Sequence, residues 1–222
     1  MLDFFLWMCY TVFIIYGVFL KVQIYKFSPR GYMGSNAYLL VSGDEAAIID
    51  PSVPFEQIKS ALGAASLRYV LLTHCHFDHI LKVSEYVEQT GAEVVIGEWD
   101  RCGLTSPIIN CYRGFLGVED GYFGRVTALR DGDSIALGTE KIKVISTPGH
   151  TAGGVCYLTD GALFAGDTVF AGGGYGRCDL PGGDEALLFS SISRLCDLPD
   201  GIAVCSGHGE DTTIEEIKIN FK

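Results

Sequence analysis

The amino-acid sequence predicts an α/β fold, with strands first and then strand and helix in alternation. Three observations carry that expectation. Short apolar runs of strand length recur along the chain, stretches with helical spacing fall between some of them, and Gly, Pro and Asp-Gly punctuation ends most runs. Size and composition agree, since 222 residues at 48% hydrophobic and 12% aromatic describe a packed globular chain of one domain or at most two small ones.

In chain order, "VQIYKF" from Val22 reads as a first strand, and "NAYLLVSG" as a second beyond a Gly-rich turn. "AAIID" is a short buried strand stopped by Pro51, and "FEQIKSAL" spaces Phe55, Ile58 and Leu62 as one helical face. "RYVLLT" is a further buried strand that leads into "HCHFDH". "DHILKVSEYVEQTG" then puts Ile80, Val83 and Val87 on one helical face, with Gly91 as its C-terminal stop. After the strand "AEVVIG", residues 98–125 form a long Gly- and aromatic-rich excursion without a clear period, the signature of a lid, a binding loop or a poorly ordered segment. "LRDGDSIAL", "EKIKVISTPG", "GVCYLTD" and "GALFAGD" read as consecutive strands joined by Asp-Gly turns. "DEALLFSSISRLCDL" has helical periodicity, and "IAVCSG" is the last buried strand.

A formal net charge of -11, with no Lys/Arg-rich stripe, argues against a nucleic-acid partner. Eight cysteines lie scattered without any CxxC pair, several in apolar runs, as expected of buried free thiols in a reducing, cytoplasmic compartment. Cys102 and Cys111 share one loop and could pair under oxidation. Residues 2–20 are almost unbroken apolar sequence, long enough to span a bilayer, with Asp3 the one charge. Two readings of residues 1–21 stand side by side, a membrane anchor or a start assigned too far upstream, with a packing or dimerising element as a third. An anchor would leave residues 22–222 on the cytoplasmic face of the membrane, because Lys21, Lys26 and Arg30 follow it. The sequence sets no oligomeric state.

The histidines carry the chemistry. His74, His76 and His79 fall within six residues of one another, and His150 and His208 each end an apolar strand and enter a Gly-containing turn. Asp167 does the same in "LFAGDTVF". If residues 74–76 are extended, His74 and His76 point the same way and can grip one ion, while Asp78 and His79 are displaced into the turn and face a second. Imidazole and carboxylate donors suit Zn²⁺, Fe²⁺ or Mn²⁺, and Asp167 can supply one oxygen to each of two ions.

With His74, His76, Asp78, His79, His150, Asp167 and His208 in that order, the chain resembles the metallo-β-lactamase superfamily. "STPGHTAGGVCYL", "FAGDTVFAGGGYGRCDLPGGD" and "SGHGEDTTI" are similar to its short, glyoxalase II-like branch, so the likeness runs from about residue 22 to the C-terminus. The resemblance implies a four-layer αββα sandwich, two mixed sheets back to back with helices outside and the site at one edge. It implies that His74, His76 and His150 bind a first metal and Asp78, His79 and His208 a second, with Asp167 bridging and two zinc ions per chain. Asp50 matches a buried acidic position that supports the ligand loop, although its residue type equally suits a turn. Arg177 and Asp179 read as organisers behind the ligands, with a plain surface ion pair as the rival.

The implied activity is hydrolysis of a small acyl thioester or similar activated carbonyl by a metal-bridging hydroxide that Asp78 orients. Asp167 stands where one major group of true β-lactamases has cysteine, which argues against antibiotic hydrolysis. Glyoxalase II proper continues past the last histidine into a helical domain that carries much of its glutathione-binding surface, whereas 14 residues follow His208 here. The thiol half of a substrate must then be bound in another way, for which residues 98–125 are the candidate. The alternative activity of the same fold is a mononuclear iron persulfide dioxygenase built on His74, His150 and Asp167.

Overall fold

The computed structural model describes residues 22–29 and 34–222. The readings of residues 1–21 lie outside them. Among the described residues no helix is long and apolar enough to cross a membrane.

Among the described residues, twelve strands form two six-stranded sheets. The first runs in chain order through β1 (Gln23–Phe27), β2 (Ala37–Ser42), β3 (Glu45–Ile49), β4 (Ser66–Leu72), β5 (Glu93–Gly97) and β6 (Val126–Leu129). Its strands are antiparallel from β1 to β3 and parallel from β3 to β6. The second sheet holds β7 (Ser134–Leu137), β8 (Glu140–Ser146), β9 (Val155–Leu158), β10 (Ala162–Gly166), β11 (Ala203–Ser206) and β12 (Thr212–Thr213), again as neighbours in chain order. It is antiparallel except where β10 meets β11.

Three separate cores make this a four-layer αββα sandwich, as the family resemblance implies. Successive strand residues point to opposite faces, and the buried runs divide accordingly. Leu39, Ile48, Val70, Leu72, Val94 and Ile96 face outward onto Phe55 and Ile58 of α1 (Phe55–Leu62), Val83 and Tyr86 of α3 (Val83–Thr90) and Tyr112 of α4 (Tyr112–Leu116). Their neighbours Leu40, Ala47, Ile49, Leu71 and Val95 face inward and meet Ile142, Val144, Val155, Tyr157 and Phe164 of the second sheet. Cys156, Leu163, Ala165 and Val204 on the far side of that sheet pack against α5 (Glu185–Leu195) and α6 (Ile214–Phe221). Burying each Leu, Ile or Val contributes roughly 1.5–3 kcal/mol, and Val70–Leu72 of β4 and Val94–Gly97 of β5 leave no position to solvent, which explains their continuous apolar runs.

Three local expectations change. The helix expected over residues 78–91 is two helices, α2 (Phe77–Ile80) and α3, because the Lys82 N–H leaves the helical pattern and donates to the Pro51 carbonyl at 3.0 Å. As a result Tyr86 joins Val83 on the buried face, and Val87 is half-buried. The turn at Asp131-Gly132 does not close a hairpin but carries the chain from β6 in one sheet to β7 in the other, whereas Asp160-Gly161 does close the β9–β10 hairpin. Finally, α6 follows the last expected strand, with the Thr213 hydroxyl accepting from the Glu216 N–H as its N-cap.

The 98–125 excursion is built rather than open. It buries Leu104, Cys111, Tyr112 and Tyr122, and its Asn110 carbonyl accepts from the Phe77 N–H at 2.8 Å, tying it to the ligand-bearing turn. The seven described cysteines are unpaired, including Cys102 and Cys111.

Candidate metal centre

Strand ends at one edge of both sheets supply the site. Asp50 follows β3, the Thr73–His79 segment follows β4, and Asp100 follows β5. From the second sheet come His150 and Thr151 between β8 and β9, Asp167 after β10 and His208 after β11. His76 is still extended, with φ -64° and ψ 147°, whereas Asp78 and His79 lie in α2. This separates the two halves of the motif as its spacing predicts. Close approach between the sheets is possible because residue 207 is glycine: a Cβ there would collide with Asp167 Oδ1 and crowd the His79 ring.

All seven residues expected to bind metal come together, in three overlapping groups whose donor atoms lie within 4.8 Å of one another: His74, His76 and His150; His74, His79 and Asp167; and Asp78, His79 and His208. In the first group His150 Nε2 is 2.9 Å from His76 Nδ1 and 3.3 Å from His74 Nε2. An ion bound tetrahedrally at 2.0–2.1 Å requires nitrogens about 3.3 Å apart, so the spacing suits one ion. In the last group Asp78 Oδ2 is 3.1 Å from His208 Nε2 and 3.8 Å from His79 Nε2. Asp167 spans the groups, with Oδ1 3.2 Å from His79 Nε2 and Oδ2 3.6 Å and 3.5 Å from His150 and His208.

The surrounding hydrogen bonds aim the rings. Asp50 can only accept, so His79 Nδ1 donates to it at 2.8 Å and leaves Nε2 facing the cluster. The Thr73 hydroxyl donates to Asp50 at 2.7 Å, so it must accept from His74 Nδ1 at 3.1 Å, and His74 also presents Nε2. His150 Nδ1 donates to the Arg177 carbonyl at 2.7 Å, with the same result. The buried His79 Nε2 and Asp167 Oδ1, both facing the cluster, find no hydrogen-bond partner among the described residues. Buried polar atoms left in this way are costly unless something else engages them, and nitrogen and carboxylate donors at this spacing fit a divalent cation.

Charge divides the cluster. Burial, reinforced by the other imidazoles, holds His74 well below the usual histidine range and brings His76 down to about 3. Burial also opposes a charge on His79 and His208, but carboxylates outweigh it. Asp167, Asp50 and Asp78 hold His79 well above its ordinary value, and hydrogen bonds to Asp167 and Asp78 lift His208 to about 9. Conversely, Asp167 is held well below the carboxylate range despite its burial, chiefly by His79. Without an ion, protons on the second group balance charge that a cation would otherwise balance.

Asp50 thus supports the ligand segment, as its position suggests, from a backbone with φ 50° that few non-glycine residues adopt. Arg177 and Asp179 require a correction. Their side chains form an exposed pair with each other, Nε to Oδ1 at 2.7 Å and Nη2 to Oδ2 at 2.6 Å, and it is the Arg177 backbone carbonyl that reaches His150. The guanidinium instead lies over the half-exposed Phe115 ring, 5.9 Å from its centroid, at the rim. Sequence reading missed Thr73, Thr151 and Asp100. Asp100 lies three residues past the end of β5, with Glu98 the carboxylate directly beyond the strand, so residue type and position do not single it out.

The family model for the metallo-β-lactamase superfamily matches residues 30–208. YqgX of Bacillus subtilis (strain 168), named a probable metallo-hydrolase, is 34% identical over 197 residues, covering 84% of this chain and 90% of that protein. The crystal structure of BLEG-1 B3 metallo-beta-lactamase has a TM-score of 0.79 at 34% identity, covering 87% of this chain and 95% of that one. TTHA1623, solved in a di-iron-bound form, has a TM-score of 0.71 at 31% identity, covering 84% and 93%. Two back-to-back sheets, a histidine and aspartate cluster at their shared edge and a match over most of the chain converge on one conclusion: this protein belongs to the metallo-β-lactamase superfamily, and its likeness to a metallo-hydrolase extends over nearly the whole of that relative.

Proposed function

We propose that the protein is a dinuclear metal-dependent hydrolase of small acyl thioesters, akin to the glyoxalase II-like branch. The observation that carries the reading is the assembly of two three-residue donor groups joined by Asp167. His74, His76 and His150 would hold one ion and Asp78, His79 and His208 the other, with Asp167 between them. Zinc, or iron as in the di-iron form of TTHA1623, suits these donors. Bound there, such ions bring the pKa of water to about 7 and polarise a carbonyl oxygen.

The chain's own residues supply position. Asp50, Thr73 and the Arg177 carbonyl lock three imidazoles with Nε2 toward the cluster. Asp78 is more exposed than Asp50, Asp167 or most of the imidazoles, so it can accept a hydrogen bond from the attacking water and orient it toward the acyl carbon. Phe115 and Arg177 at the rim offer an apolar face and a cation to the thiol half of the substrate.

A second reading, hydrolysis of a β-lactam, is favoured by the likeness to BLEG-1 B3 metallo-beta-lactamase. The aspartate at position 167 sets this chain apart only from cysteine-bearing β-lactamases, so it does not exclude that chemistry. The assembled Asp78, His79 and His208 group is also why hydrolysis is preferred here over an iron dioxygenase.

Three assays on one zinc-loaded preparation and its iron-loaded counterpart decide. Release of free thiol from lactoylglutathione or another small acyl thioester without oxygen is the expected result. Opening of a chromogenic cephalosporin without thioester cleavage would select the β-lactam reading. Oxygen uptake with a persulfide by the iron form alone, with no anaerobic thioester cleavage, would overturn hydrolysis.

A further inference from the structure

We infer that Asp100 is a positioning residue for one half of the metal centre, holding the His74–His76 segment and the His150 turn at the separation their imidazoles need. The inference rests on the reading that these three histidines share an ion.

Asp100 is 2% exposed and touches no ligand side chain. It works through the backbone beside them. Its Oδ2 accepts from the Cys75 N–H at 3.0 Å, and Cys75 stands between His74 and His76. The same oxygen accepts from the Thr151 hydroxyl at 2.8 Å, and Thr151 directly follows His150. Oδ1 accepts from the Gly153 N–H at 2.6 Å in the same turn. One carboxylate therefore joins a segment of the first sheet to a turn of the second.

The backbone contact beside it is independent evidence for a built clamp. A Cβ at residue 153 would collide with the Asp100 backbone nitrogen and crowd Oδ1, and a Cβ at Gly97 would collide with the Gly153 carbonyl oxygen. The end of β5 and the turn before β9 can meet this closely only with glycine on both sides. Asp50 and Asp100 thus divide the labour. Asp50 fixes ring orientation through His79 and through Thr73 to His74, whereas Asp100 fixes the distance between the two backbones that carry His74, His76 and His150.

Asp100→Asn tests this, because the amide keeps the size of the side chain but turns an N–H toward the Cys75 or Gly153 N–H. Wild-type and variant proteins are loaded with Co²⁺ and titrated with a chelator while the visible bands are followed. Amide exchange is measured on the metal-free forms. The expected result is that one of two ions is held roughly tenfold to hundredfold more weakly, as is usual for lost outer-shell partners, with altered cobalt bands. The other ion should be held as in wild type, and exchange should quicken at Cys75 and Gly153.

Thr151→Val, which removes one bond and keeps the shape, should weaken the same ion by a smaller factor and supplies the test if Asp100→Asn does not fold. Wild-type affinity and wild-type bands in a folded variant would overturn the inference. So would parallel loss of both ions with faster exchange throughout the sheets, since Asp100 would then be ordinary fold support. A wild-type protein that binds two ions but cleaves no thioester would sink the proposed substrate and leave Asp100 in place. One that binds no ion would overturn both.

Discussion

Replacing Asp50 with asparagine should break the support of the centre at a cost that follows from three hydrogen bonds. Asp50 accepts from the Thr73 N–H at 2.8 Å, the Thr73 hydroxyl at 2.7 Å and His79 Nδ1 at 2.8 Å, and is 2% exposed. Asparagine tolerates the left-handed backbone there, with φ 50°, so the backbone contribution is small. Its amide has one acceptor oxygen. Placed toward His79 and the Thr73 hydroxyl, that oxygen keeps two bonds but leaves an NH₂ against the Thr73 N–H. The unsatisfied donor costs about 1–3 kcal/mol, and each remaining bond loses about 1 kcal/mol with its charge. The sum is about 3–5 kcal/mol, a large part of the ~5–15 kcal/mol that holds a typical domain together. Urea titration of the metal-free proteins reads this directly. Metal titration should show the ion at His79 weakened by about tenfold to hundredfold, since its ring is no longer aimed. A variant within ~1 kcal/mol of wild type that still binds both ions with full affinity would refute the reasoning, because Asp50 would then be a turn residue only.

His79→Ala should empty mainly one of two metal sites while His74, His76 and His150 keep theirs, read as ions per chain after dialysis. Loss of both ions would show that the groups do not act separately. The same change removes the imidazole among Asp50, Asp78 and Asp167, so the metal-free variant should be roughly 3–5 kcal/mol less stable in urea. Stability of the metal-free protein should peak near pH 6.5. His74 and His76 are held below their unfolded values, so their contribution is lost as pH falls below about 6.5, for His76 toward about 3. His79 and His208 are held above theirs, so that contribution is complete below about pH 6.5 and fades as pH rises above it, for His208 through about 9. Urea midpoints that keep rising between these two values would contradict the assignment. Metal uptake should release protons and tighten with pH until about 9, as potentiometry or calorimetry in two buffers can show. A chain beginning at Val22 should fold and load metal, because Val22 and Ile24 already pack in the inter-sheet core and β1 supplies the edge strand. Loss of soluble protein on that deletion would mean residues 1–20 pack into the fold.

What could be read from sequence was whatever a few adjacent residues decide. The strands Val70–Leu72 and Val94–Ile96 are buried on both faces, so apolarity alone marks them. The candidate ligands lie beyond the ends of β4, β8, β10 and β11, where residue type and position mark them. The break between α2 and α3 could not be read in this way, because it depends on a bond from Lys82 to Pro51, thirty-one residues away. Nor could the crossing at Asp131-Gly132, where the local turn signal is the same as at Asp160-Gly161 and only the choice of pairing partner differs. The last helix was legible in principle from Thr213 and Glu216, which cap it in the usual way.

The support of the centre divides along the same line. Asp50 is visible through the family resemblance, since its residue type and strand-end position suit a turn equally well. Asp100 lies three residues past the end of β5, behind Glu98, and its role depends on two turns meeting at glycines 97 and 153. The Arg177 carbonyl is invisible, since every residue has one. Reading "GRCDLPGGD" by side-chain chemistry therefore selected the right residue for the wrong atom. Substituting the Arg177 side chain should accordingly leave metal affinity intact and change only the handling of substrate at the rim. Insertions or deletions that shift its backbone should release His150.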